Sequence, residues 1–99
     1  MQDKVKYIAE EYGIHHQLIK LMEEMSEVTK EITKLLNATD DEEILEIYRN
    51  TLPEELADLR LVYDQIVYLM GCEEQVYQWR QYKAAREVRR IKEDEQCLG

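Results

Sequence analysis

The sequence holds very little that would break a helix. It has three glycines and one proline, placed at Gly13, Pro53, Gly71 and the terminal Gly99. Strand signals are absent and helix formers dominate. The only cysteines, Cys72 and Cys97, match no metal-ligand spacing, which predicts a reduced, intracellular protein. No apolar stretch is long enough to span a bilayer. The first eleven residues carry acids where a signal peptide needs an apolar run, so a cytoplasmic location is expected. Bases are scarce as well. Thirteen Lys and Arg face 22 Asp and Glu, a formal net charge of -9. That argues against nucleic acid or an anionic membrane as a direct partner, since either needs a basic footprint. An anionic small molecule arriving with its own cations remains compatible.

What is present reads as one all-α domain spanning residues 1–99. A short helix near residues 3–12 is ended by Gly13. The clearest helix follows, from about Ile14 to Leu36. Its apolar set is Leu18, Leu21, Met22, Met25, Val28, Ile32, Leu35 and Leu36, spaced at threes and fours. Glu24 and Glu31 lie at one edge of that stripe with Gln17 close by, and Lys20 and Lys34 share the flank. Residues 37–41 read as a break, and a short helix from about 41 to 49 starts at Thr39 or Asp40. Thr51-Leu52-Pro53-Glu54 then has the pattern of a capping box with proline in the first turn. A second long helix runs to about Met70, with Gly71 as its stop. A third runs from about Glu73 to Glu93. Three long helices with broad apolar stripes are hard to bury in one layer of 99 residues, which predicts self-association.

Two acid pairs stand out. Glu24 and Glu27 lie in Glu23-Glu24-Met25-Ser26-Glu27, and Glu55 and Asp58 lie in Glu54-Glu55-Leu56-Ala57-Asp58. The i, i+3 spacing sets each pair on one side of its helix. Glu55 falls inside an apolar stripe, where a carboxylate is costly unless paired or metal-bound. Packed together, four carboxylates repel unless one takes up a proton or a cation neutralises them. Oxygen-only ligands favour Mg²⁺, with Mn²⁺ as a substitute, and neither His nor Cys is placed to favour zinc. The charge reverses on the third helix. Lys83, Arg86 and Arg90 form a basic flank suited to phosphate. His15 and His16 are adjacent, so they point in different directions and read as surface or capping residues. Met22, Met25 and Met70 read as core filler.

Glu24-x-x-Glu27 followed by Glu55-x-x-Asp58 resembles the E-x-x-E…E-x-x-D signature of the MazG-like, all-α nucleoside triphosphate pyrophosphohydrolases. The flanking residues from His16 to Glu27 and from Leu52 to Leu59 are similar to the two motif helices of that family. Tyr82-Lys83-Ala84-Ala85-Arg86 is similar to its later basic helix. The resemblance covers residues 14–91. It implies a four-helix core completed by homo-oligomerisation, as a dimer or tetramer. It also implies Mg²⁺-dependent cleavage of a nucleoside triphosphate between the α and β phosphates. On that footing Glu24, Glu27, Glu55 and Asp58 hold the metal, and Glu23, Glu24 or Glu27 helps activate water. Lys83 and Arg86 contact phosphate, and Gln17 lines the nucleotide pocket. The competing expectation is a non-catalytic helical module of the same fold that binds nucleotide–Mg²⁺ or a protein partner.

Overall fold

The computed structural model describes residues 2–98, and among them every regular element is helical. Helix α1 spans Gln2–Asn37, α2 Asp41–Glu46, α3 Leu52–Met70 and α4 Glu73–Leu98, with a π-helical stretch Ile47–Thr51 joining α2 to α3. The all-α expectation therefore holds. The two long motif helices lie within a residue or two of their expected bounds. Helix α4 runs further than expected, past Glu93.

Gly13 interrupts α1 without ending it. Its φ of 82° and ψ of 167° belong to a region essentially restricted to glycine, so the chain kinks there and resumes its helix at once. The kink lets the first segment lean onto the far end of α3, where the Tyr68 hydroxyl donates to the Glu10 carboxylate. Gly71 closes α3 in the left-handed conformation (φ 63°, ψ 32°). Its N–H bonds the Tyr68 carbonyl at 3.1 Å, and the Cys72 N–H bonds that of Val67 at 3.2 Å. This paired closure satisfies two carbonyls that the helix end would otherwise orphan.

The segment before α3 departs from expectation. Asp40 is the N-cap of α2, its side chain accepting from the Glu42 N–H. Thr51 caps nothing. Its backbone is helical (φ −72°, ψ −43°) and its side chain makes no capping bond. Instead its hydroxyl donates across the interface to Glu31 at 3.0 Å. The capping box is therefore not formed, and the chain stays helical from Asp41 to Met70. Pro53 is tolerated because the wider π turn precedes it. The Leu52 N–H reaches the Ile47 carbonyl five residues back, and proline's missing donor falls where the ladder is already shifted.

Helices α1 and α3 form the body of the protein. Gln17 meets Gln65, Glu24 stands with Asp58, and Glu31 meets Thr51. Each step of seven along α1 is answered by a step of seven back along α3, so the two helices are antiparallel and in heptad register. Beside this polar line the apolar core is small. Val28, Ile47, Val62 and Ile66 are buried, with Ala9 beyond the kink. Several residues expected in the core lie outside it. Met22, Met25 and Met70 are exposed, because the single partner helix covers only a narrow stripe of each apolar face. Helix α4 packs on the rest of the chain far less than α3 does.

Replacing Gly71 by alanine meets no steric obstacle, since nothing lies within 4 Å of an added Cβ. Its cost is therefore that of holding an L-residue in the left-handed region, about 1–2 kcal/mol. Urea unfolding of Gly71→Ala is expected to show a loss of that size with an unchanged m-value.

Candidate metal centre

The register of α1 against α3 decides which acids meet. Glu24 lies on the heptad line that faces α3 and is 8% exposed despite its charge. Asp58 lies on the answering line, and Glu55 is three residues earlier, on the same side of α3. One carboxylate oxygen from each of Glu24, Glu55 and Asp58 can be chosen so that all lie within 4.8 Å of one another. Two oxygens on opposite sides of one Mg²⁺ stand about 4.2 Å apart at its usual bond length of about 2.1 Å. The cluster is thus close to closing on a single hard cation, and its donors are all oxygen.

Glu27, the fourth acid of the pattern, stands apart from this group. Its side chain is half-exposed and pairs with Lys30 at 3.3 Å. It still bears on the cluster electrostatically. The Glu55 carboxyl is lifted above its ordinary value of 4.5 first by desolvation, then by the charges of Asp58, Glu27, Glu24 and Glu54. Desolvation leads, and the neighbouring carboxylates add to it at Glu55.

Lys20 supplies the nearest positive charge. Its ammonium lies 3.2 Å from Glu24 and 3.6 Å from Glu23. Its pKa is raised, first by the hydrogen bond it donates to Glu24 and then by that residue's charge. One i+4 lysine thus partly balances the buried glutamate and leaves Glu55 and Asp58 uncompensated. Further along the seam, Glu31 pairs with Lys34 at 3.2 Å and accepts from Thr51.

Gln17 lies where the sequence placed it, beside the acid line, and it is 3% exposed. It bonds Gln65, which the sequence reading passed over. The signal was available, since Gln65 follows Asp58 by seven residues, as Asp58 follows Thr51. Lys83 and Arg86 are not brought to the acids within one chain. Lys83 sits over the Trp79 ring at 6.0 Å and Arg86 over the Tyr82 ring at 5.7 Å. Arg90 pairs with Glu87 on its own helix at 3.6 Å. Among the described residues no α4 base forms an ion pair with Glu24, Glu27, Glu55 or Asp58.

The fold and the acid cluster define an all-α protein with a candidate site for a hard divalent cation. No protein-family model, curated protein or solved structure matches the chain. No helix among the described residues is long and apolar enough to cross a membrane.

The raised Glu55 carboxyl has a consequence for stability. The folded chain keeps that proton at a pH where the unfolded chain has lost it. Stability of the metal-free protein therefore falls as pH rises through the window just above 4.5. Thermal melts across pH 4 to 7 are expected to show this fall, and Glu55→Gln is expected to flatten it.

Proposed function

We propose that the chain is a Mg²⁺-dependent nucleotide pyrophosphohydrolase of the MazG-like all-α kind, acting in the cytoplasm. The observation that carries this reading is the cluster of Glu24, Glu55 and Asp58, with oxygens within 4.8 Å and Glu24 buried. These three would hold the ion, and Glu27, which stands apart in one chain, would have to leave Lys30 to join them. Bound there, Mg²⁺ supplies a lowered pKa for an attacking water and charge neutralisation for phosphate. Glu23, Glu24 or Glu27 takes the proton as the water oxygen bonds to the α phosphorus. The bond from that phosphorus to the oxygen bridging to the β phosphate breaks, giving a nucleoside monophosphate and pyrophosphate. Lys83 and Arg86 offset the charge of the triphosphate.

That last role requires α4 to reach acids it does not meet in one chain, and the proposal therefore includes self-association. Two further features support it. The radius of gyration is 17.7 Å, against about 13 Å for a compact domain of this length. Tyr77, Trp79, Tyr82, Val88 and Ile91 leave about half or more of their surface open along α4, as do Met22, Met25 and Leu36 on α1. Pairing of such faces in a homodimer or homotetramer completes a four-helix core. Sedimentation at micromolar concentration is expected to give a dimer or tetramer. A Val88→Glu, Ile91→Glu double variant is expected to shift that species to monomer.

Turnover is tested with common and modified nucleoside triphosphates in Mg²⁺, following pyrophosphate release. Glu24→Ala and Asp58→Ala are each expected to lower the rate by about 100-fold or more while helical circular dichroism is retained. Mg²⁺ alone at 100 times its Kd is expected to stabilise the native chain by about 2.7 kcal/mol, and neither variant should show this gain. Nucleotide–Mg²⁺ binding without product would assign a binding module of the same fold instead.

A further inference from the structure

Lys20 is placed against the usual logic of a helix surface. In a helical ion pair the acid is better set before the base, where both suit the helix dipole. Glu27 with Lys30, Glu31 with Lys34 and Glu87 with Arg90 all follow that order. Among the described ion pairs Lys20 alone precedes its acids, with its ammonium 3.2 Å from Glu24 and 3.6 Å from Glu23. Helix stability therefore does not account for its position.

Glu31 offers the comparison. It shares the heptad line with Glu24, both side chains are largely buried, and each has a lysine at 3.2 Å. Glu31 also accepts from Thr51 across the seam. What faces Glu24 from α3 is two more carboxylates, Glu55 and Asp58. Among the described residues Lys20 is thus the only base in ion-pair contact with a cluster of three acids. Its side chain is half-exposed. On its other side it borders an open cleft of about 380 Å³ between α1 and α3, with Ile8, Tyr12 and Gln65 on the walls. The ammonium therefore has room to leave Glu24.

A Mg²⁺ on the same Glu24 oxygen, at its usual bond length of about 2.1 Å, would stand no more than about 5.3 Å from that ammonium. This separation is shorter than the screening length of physiological salt, about 8 Å, so the two cations compete for Glu24. The charges then decide what the loaded centre accepts. Three carboxylates and one divalent ion leave a negative charge that repels phosphate, and one lysine cancels it. We propose that Lys20 is the resident counter-cation of the acid cluster: a divalent ion displaces it from Glu24, and the freed ammonium takes up a phosphate oxygen of the ion's ligand. Lys20 thereby makes the centre prefer a metal–phosphate complex to the free ion. The inference rests on the reading of the acid cluster as a metal site. It adds a selecting residue on the same helix, within reach in a single chain.

Calorimetry with two probes tests this: Mg²⁺ alone, and the Mg²⁺ complex of methylenediphosphonate, a diphosphate analogue that resists hydrolysis. Lys20→Met is expected to bind Mg²⁺ alone about fivefold more tightly than the wild-type chain, the upper range for a half-exposed ion pair. The same variant is expected to bind the Mg²⁺–diphosphonate complex about tenfold more weakly, through loss of a charged hydrogen bond. Lys34→Met removes an equal charge beside Glu31 and is expected to change neither affinity by more than about twofold. Lys20→Gln serves where the methionine variant does not fold. If the Lys20 variant leaves both affinities unchanged, or moves them in the same direction, the proposal is overturned and the metal reading stands. Matching shifts in Lys34→Met assign the effect to the overall field of the chain and overturn it too. If Mg²⁺ binds neither the wild-type chain nor Lys20→Met, the metal reading itself fails and the proposal falls with it.

Discussion

Seven residues of an α-helix fall about 20° short of two full turns, so two helices crossing at a shallow angle keep meeting at every seventh position. In this protein that geometry links Gln17 with Gln65, Glu24 with Asp58 and Glu31 with Thr51. Everything of chemical interest hangs on the register of α1 against α3. A slip of one helical turn would set Glu24 against a different part of α3 and disperse the cluster. The apolar residues beside the line, Val28, Val62 and Ile66, hold the helices together, and the polar line determines which residues face one another.

That division explains the charge pattern. Three acids converge although the chain as a whole is strongly negative. Lys20 answers Glu24 from the same helix, yet no base on α3 or α4 answers Glu55 or Asp58 among the described residues. A solvated helix face would spread these carboxylates apart in water. Here the packing of the hairpin holds them close, and Glu55, desolvated first and then crowded by like charge, has its carboxyl raised. An ion filling that gap adds attraction where the chain alone has only repulsion.

Much of the fold was legible in the sequence because helix signals are local. The helical periodicity and the glycine at 71 each act within one or two turns and took their expected form, whereas of the two i, i+3 acid pairs only Glu24, Glu55 and Asp58 come together. Glu55 was legible because a carboxylate in an apolar stripe conflicts with its surroundings. Thr51 was misread because two bonds compete for its hydroxyl. The local capping bond is visible in sequence, while the winning bond to Glu31 depends on a helix twenty residues away. Gln65 was missed for a related reason, since a glutamine near an apolar stripe shows its partner only once the register is known. The position of α4 was not legible at all, because its basic and aromatic residues satisfy one another along a single helix.

The kink at Gly13 bears on all of this. Ile8 and Tyr12 belong to the segment before it, and Gln17 and Lys20 to the segment after, yet all four line the same cleft. The two jaws of that cleft are therefore mounted on either side of one joint. The opening between those jaws is thus set by the backbone angles of a single glycine, and the first jaw is held at α3 by the contact of Glu10 with Tyr68.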